Sequence, residues 1–311
     1  MTEKLLIVGG TGFIGKNLAQ KAVDNGFTTT VVSLNMPKQV YQVSGVKYFQ
    51  ANITNLDQLK EIFLNKKFDY VINLSGYVDH SSFLGGGINV INTHFSGVIN
   101  LLQALDWIQI KRFVQIGSSD EYGSLPSPQH EEMSESPISS YSLGKVASTK
   151  LLQMLYRTEK FPVVILRLFL VYGEGQNNER FLPQIINGCL MDKKFPTSKG
   201  EQLRDFSHID DITNGILMSL VKDGVNGEII NIASGVPESI REIIGTIQKL
   251  IGTGRPDFGK IDYRDGENMS LIADITKAKK LLGWNPKIGI NEGLKRTVNH
   301  FRLNNNGFRK K

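Results

Sequence analysis

Residues 5–15, Leu5-Leu6-Ile7-Val8-Gly9-Gly10-Thr11-Gly12-Phe13-Ile14-Gly15, decide the fold. The apolar residues read as a short buried strand, and Gly9, Gly12 and Gly15 are spaced so that a helix must start at once. Such a turn lets backbone N–H groups touch a pyrophosphate at a helix N-terminus. The spacing is G-x-x-G-x-x-G rather than the G-x-G-x-x-G of the ordinary dinucleotide fingerprint. Taken alone it equally describes a tight strand-to-helix corner, so its chemical meaning depends on a second motif.

Downstream, strand-like runs alternate with helix-length amphipathic segments. Strands are expected at 5–8, 29–34, 70–74, 112–116 and 163–169, and helices at 12–25, 56–65, 93–105 and 140–158. This alternation predicts an α/β fold, a doubly wound parallel Rossmann-type sheet of six or seven strands. Ligands then sit beyond the carboxyl ends of the strands, where Gly9, Ser75 and Ser118 emerge. After Tyr172 the segments shorten and Gly, Pro and Asn increase, which marks a smaller substrate-covering lobe. The expected division is a dinucleotide-binding domain over 1–168 and a substrate-binding lobe over 169–311, with some segments returning to the first domain.

At 311 residues, 40% hydrophobic and 21% charged, the chain is long enough to bury a large core. Its 36 Lys+Arg against 30 Asp+Glu leave a net charge of +6, but the one dense basic cluster is the terminal Arg309, Lys310 and Lys311. That reads as a solvated end, so no nucleic acid is expected, and the charge suits an anionic small molecule. Cys189 is the only cysteine, which excludes an intrachain disulfide and a thiolate metal cage. His80, His94, His130, His208 and His300 show no H-x-x-x-H pairing, and no metal is expected. The apolar run at 161–172 is interrupted by Arg167 and falls short of the ~20 residues of a membrane span. With a strand opening at Leu5 and no signal peptide, the expected location is the cytoplasm.

The second motif is Tyr141 and Lys145 in Ser-Ser-Tyr-Ser-Leu-Gly-Lys, at the start of the helix expected from Ser140. Residues four apart share a helix face. An ammonium beside a phenol stabilises the phenolate, so Lys145 is expected to tune Tyr141 toward proton exchange near neutral pH. The strand at 112–116 delivers Ser118, 23 residues before Tyr141, to the same sheet edge. There a serine hydroxyl could orient a substrate oxygen while Tyr141 moves its proton and a nicotinamide exchanges a hydride. The plainer alternatives are a solvated Tyr–Lys face and serines that cap a strand.

With these three elements in order, the sequence resembles the extended short-chain dehydrogenase/reductase family, the branch of nucleotide-sugar epimerases, dehydratases and ketoreductases. Further family-like segments are Val71–Gly76, Leu166–Gln176, Leu203–Asp211 and Ala273–Trp284, so the resemblance runs almost end to end. It implies catalysis by Ser118, Tyr141 and Lys145, and a cofactor held by Gly9, Gly12, Phe13, Ile14, Gly15, Leu74, Ser75, Gly76, Tyr141, Lys145 and Leu168. It also implies a nucleoside-diphosphate sugar under the C-terminal lobe, its diphosphate clamped by Arg204 and Arg264. A homodimer through the helix around 97–105 and the helix of Tyr141 is implied too, with Leu101, Leu102, Leu151 and Leu155 placed either there or in the subunit's own core.

Where NAD-using relatives carry an acidic residue, eighteen positions after Gly15, this chain has Ser33. Ser33, Asn35 and Lys38 can receive a 2′-phosphate, so NADP is favoured and NAD is admitted. Asn52 and Ile53 stand where the family often has an aspartate near the adenine. In the run 118–123, Ser118 takes the dehydratase threonine position, Ser119 and Asp120 the acid/base positions, and Glu121 an apolar one. That pattern looks more like ketoreductases. Leu170 replaces an asparagine beside the sugar, as suits a deoxygenated ring; with Ser118, Ser119, Asp120, Tyr141, Arg204 and Arg264 it makes up the expected substrate contacts. The leading expectation is NADPH-dependent reduction at C4 of a nucleoside-diphosphate 4-keto-6-deoxyhexose in deoxysugar or surface-polysaccharide biosynthesis. The alternatives are a 4,6-dehydratase or 4-epimerase that recycles its cofactor, and a non-catalytic nucleotide-binding scaffold or sensor.

Overall fold

A computed structural model describes residues 2–263 and 266–308. The first half runs β1 (Lys4–Val8), α1 (Phe13–Asp24), β2 (Thr28–Ser33), β3 (Lys47–Gln50), α2 (Leu56–Phe63), β4 (Tyr70–Asn73), α3 (Ile88–Ile91), α4 (Gly97–Ala104), β5 (Arg112–Ser118), α5 (Ser140–Glu159) and β6 (Val163–Leu168). The second half runs β7 (Leu170–Tyr172), α6 (Phe181–Leu190), β8 (Lys194–Thr197), β9 (Leu203–His208), α7 (Ile209–Val221), β10 (Ile229–Ile232), β11 (Pro237–Ser239), α8 (Ile240–Ile251), β12 (Arg255–Phe258), β13 (Ser270–Leu271) and α9 (Ile290–Phe308).

Seven parallel strands form the main sheet in the order β3-β2-β1-β4-β5-β6-β10. Strand β1 is apolar from Leu5 to Val8 because both of its faces are covered there. Leu5 and Ile7 pack with Leu18 and Ala22 of α1 and Ile212 and Ile216 of α7, whereas Leu6 and Val8 pack with Val98 and Leu101 of α4 and Leu152 of α5. The strand order reverses between β1 and β4, the place where open α/β sheets form a ligand crevice. From the second half, α7 and β10 join this layer. Among the described residues, β7, β11 and β13 gather around β9, and α6, α8 and α9 share a separate core beside them.

Two local features depart from the expected pattern. The helix expected over 93–105 is a π-helical turn, Asn92–Ser96, followed by α4, and the wide turn places His94 in the interior. Leu101, Leu102 and Leu155 lie buried in the subunit's own core, with the partly buried Leu151 packed against it.

A buried charge network ties β5, β6 and α5 together. The Glu121 and Arg167 side chains are fully buried and pair at 3.0 Å. Glu121 also accepts hydrogen bonds from Ser118 N and Thr149 Oγ1, both at 2.9 Å. Arg167 lies 4.5 Å over the Tyr122 ring and donates to Glu135, which in turn pairs with Lys150. Removing one partner of such a pair strands a charge in the interior. Glu121→Ala is therefore expected to cost about 3–5 kcal/mol in urea unfolding; a loss below ~1 kcal/mol, the value of an exposed pair, would refute the network.

Candidate active site

The glycine turn is shaped by close approaches that exclude side chains. Gly9 adopts φ +81°, and a Cβ on it would lie 2.8 Å from the Leu74 carbonyl. A Cβ on Gly15 would lie 2.5 Å from Gly10 Cα and the Gly9 carbonyl oxygen, which seats α1 directly on the turn. Gly12 is the N-cap of α1, with no side-chain cap and no acidic residue in the first turn. The leading N–H groups of the helix thus face outward over a residue with no side chain, a cradle that fits a pyrophosphate.

The cradle opens into a cleft of about 750 Å³ at the carboxyl ends of β1, β4, β5 and β6. Of the expected site residues, Gly9, Gly12, Phe13, Ile14, Gly15, Leu74, Ser75, Gly76, Ser118, Ser119, Asp120, Tyr141, Lys145, Leu168 and Leu170 line it. Ser33, Asn35, Lys38, Asn52, Ile53 and Arg204 are not in this lining. Ser33 is buried beneath the glycine turn, its Oγ accepting from Thr11 N at 3.2 Å, and Asn35 and Lys38 are exposed beyond β2. Asn52 uses its side-chain oxygen on Thr54, and Ile53 is buried against Gly97. The Arg204 guanidinium is paired with Glu267, and Arg264 lies outside the described residues.

Tyr141 and Lys145 sit on the first turns of α5, which begins at a reciprocal cap between Ser139 and Ser142. The Lys145 ammonium donates to the Ile116 carbonyl at 2.8 Å and lies 5.8 Å from the Tyr141 ring centre. Burial pulls the Lys145 pKa down to about 8. For Tyr141, burial is the largest influence and Asp120 the next; both push the phenol upward, while a bond with the Ser118 hydroxyl draws it down. The phenol is therefore held protonated, and the tuning expected from Lys145 is outweighed in this conformation.

Two histidines absent from the sequence expectations wall Tyr141. The His94 ring meets it edge to face at 5.0 Å and the His80 ring at 5.7 Å. His94 Nε2 lies 2.9 Å from the Tyr77 carbonyl oxygen, which only accepts, so Nε2 carries the proton. Burial, then the Lys145 charge, brings the His94 pKa to about 3, so the ring is neutral. Its closeness requires Gly76, where φ is +105° and a Cβ would lie 2.1 Å from His94 Cε1. Arg180, also absent from those expectations, lines the cleft from the end of α6. His80 sits in the loop after β4 and His94 on the wide turn, so neither shows a helical or alternating spacing toward Tyr141.

The depressed Lys145 pKa has a consequence for stability. Between about pH 8 and 10.5 the unfolded chain binds the proton that the folded chain has lost. The destabilisation is therefore complete below that window and fades as pH rises through it. Lys145→Met is expected to need more urea to unfold than wild type at neutral pH, with the gap closing above pH 8. A gap that does not change with pH would contradict the burial of a charged Lys145.

The family model described as "NAD dependent epimerase/dehydratase family" matches residues 5–233. A UDP-glucuronate 4-epimerase of Thermodesulfobacterium geofontis is 30% identical over 96% of each chain. A dTDP-glucose 4,6-dehydratase of Haemophilus influenzae is 28% identical over 96% of this chain and 98% of that one. Among solved structures, the UDP-glucose 4-epimerase of Thermotoga maritima with UDP-glucose superposes with a TM-score of 0.90 at 25% identity, covering 97% and 99% of the two chains. The UDP-glucuronic acid 4-epimerase of Bacillus cereus, in complex with UDP-glucuronic acid and NAD, does so with a TM-score of 0.87 at 26% identity, covering 96% and 99%. With the fold, the glycine cradle and the Ser118–Tyr141–Lys145 constellation in one cleft, the chain belongs to the NAD-dependent epimerase/dehydratase family of nucleotide-sugar enzymes.

Proposed function

We propose that the protein oxidises C4 of a nucleoside-diphosphate hexose with a retained nicotinamide dinucleotide and returns the hydride within the same turnover, as 4-epimerases and 4,6-dehydratases do. The observation that carries this reading is the convergence of Ser118, Tyr141 and Lys145 with the glycine cradle on one cleft. The relatives support internal redox over the net C4 reduction favoured by the sequence pattern, because those reported above are epimerases and a dehydratase.

When bound, the nicotinamide supplies hydride acceptance and return. Ser118 holds the sugar O4 toward Tyr141, which in its phenolate form takes the hydroxyl proton, becoming the phenol, and gives it back when the hydride returns. Lys145, anchored at the Ile116 carbonyl, presents its cation to the cofactor ribose and to the phenolate that forms. Exposed Arg180 at the rim is placed to meet the diphosphate, a role that Arg204, already paired with Glu267, is less free to take. No carboxylate follows β2, so a 2′-phosphate meets no repulsion there, and NADP is accepted as well as NAD.

We also propose that the protein works as a homodimer through the outer face of α5. Leu143 and Met154 stand eleven residues apart on one helix face and are 47% and 40% exposed. Leu143→Glu is expected to leave a monomer in sedimentation, and a wild-type protein already monomeric at high concentration would contradict the pairing.

Tyr141→Phe is expected to lower turnover of UDP-glucuronate, UDP-glucose or dTDP-glucose about 10²–10⁴-fold without loss of folding. In the same assay, wild type given NADPH and a nucleoside-diphosphate 4-keto-6-deoxyhexose should consume no more reductant than its own molar amount. Stoichiometric oxidation of NADPH would overturn internal redox and restore the net reductase.

A further inference from the structure

We propose that Lys16 is a positioning residue that fastens the loop 173–180 to the cofactor helix as a strap, and that this bond holds the nicotinamide dinucleotide in the cleft between the two half-reactions. The proposal rests on the retained-cofactor reading above and names the residue that does the retaining. Lys16 follows Gly15 on the first turn of α1, where its backbone N–H donates to the Gly12 carbonyl at 3.0 Å. Its half-buried side chain crosses to the second half of the chain, and the ammonium donates to the Gly175 carbonyl at 2.9 Å. Gly175 makes that approach possible: it adopts φ +76°, and a Cβ on it would lie 2.5 Å from Lys16 Nζ. Burial draws the Lys16 pKa down, as befits an ammonium turned from solvent. Lys16 is not in the cleft lining, whereas Gln176, Asn177, Glu179 and Arg180 of the same loop are. Its charge is therefore spent on the loop and not on a ligand.

The loop has anchors of two kinds. Glu174 pairs with His208 of β9 at 3.0 Å, and Gln176 Nε2 donates to the Val171 carbonyl of β7 at 2.9 Å. Both bonds tie the loop to neighbouring strands of the second half. Lys16 instead ties it to the helix whose leading N–H groups form the pyrophosphate cradle, so cradle and strap border one cleft and are joined beside it. Gln176 Oε1 is buried with no partner among the described residues, which leaves the strap an acceptor for a ligand in the cleft. Internal redox makes such a device necessary. While the sugar is a ketone its hydride is held only by the cofactor, and loss of the cofactor in that interval would strand the oxidised sugar. A hydrogen bond from an ammonium to a carbonyl is among the stronger single contacts of a surface loop, and lifting the strap requires breaking it.

Holoenzyme loaded with NADH is mixed with a large excess of NAD, and the loss of bound-NADH fluorescence gives the release rate. Lys16→Met is expected to release NADH about tenfold faster than wild type. Lys16→Arg keeps a cation that can reach the carbonyl and is expected to release at close to the wild-type rate. Gly175→Ala presses on the same bond from the other side and is expected to speed release as well. Because the two substitutions break one contact, the double variant should release no faster than the quicker single one. Equal release from wild type and Lys16→Met overturns the strap and leaves the retained-cofactor reading standing. Multiplying effects in the double variant, or Lys16→Arg as fast as Lys16→Met, overturn the Lys16–Gly175 bond as the cause. Wild type that exchanges NADH as fast as it is mixed overturns retention itself, and the strap with it.

Discussion

The interior ion pair between Glu121 and Arg167 is the constraint on which the rest of the site depends. Arg167 is on β6 and stands in register with Gly117 of β5. A Cβ at Gly117 would lie 2.5 Å from Glu121 Oε1 and 3.2 Å from Arg167 Cγ, so the pair forms only where that side chain is missing. One Glu121 oxygen caps Ser118 N and the other reaches Thr149 and Arg167. The backbone that carries Ser118, Ser119 and Asp120 is thereby bolted to β6 and to the helix that carries Tyr141 and Lys145. Two charges in so dry a place are costly to solvate, which makes the geometry all-or-none rather than adjustable.

A second constraint comes from the reversal of strand order between β1 and β4. There Gly9 approaches the Leu74 carbonyl too closely for any side chain, and one crevice receives both the glycine cradle and the loop that bears Gly76 and His80. His94 fills the gap behind Tyr141, with its backbone carbonyl receiving the Ser148 hydroxyl at 2.6 Å and its ring lying against Gly76. The Tyr141 ring is thus held between the His94 and His80 rings. Burial holds the phenol protonated and draws the Lys145 pKa down to about 8.

The parts of this arrangement that were legible in the sequence are those written in short spacings. The strand–glycine–helix corner and the one-turn separation of Tyr141 and Lys145 depend on residues close in the chain, and the structure forms both. Contacts made across strands left no local signature. Glu121 and Arg167 are 46 residues apart and read separately as a loop carboxylate and an interruption in an apolar run. His94 lay inside an expected helix whose π-helical turn no periodicity announces. Arg204 illustrates the converse: a guanidinium suited to a diphosphate found a carboxylate, Glu267, contributed by a segment 63 residues away. Of the paired leucines, Leu101, Leu102 and Leu155 satisfy the same helical spacing for a partner or for the core, and only packing against β5 and β6 decides for the core.

The central claim, hydride removal from C4 and its return to the same sugar within one active site, is tested most directly by isotope tracing. Hexose labelled with deuterium at C4 is mixed with unlabelled hexose and turned over in the presence of excess free NADH. Internal redox predicts that every deuterium lost from a labelled sugar is found in the product of that same molecule, with none in the free cofactor pool. Deuterium in bulk NADH, or scrambled between labelled and unlabelled sugars, would contradict the account.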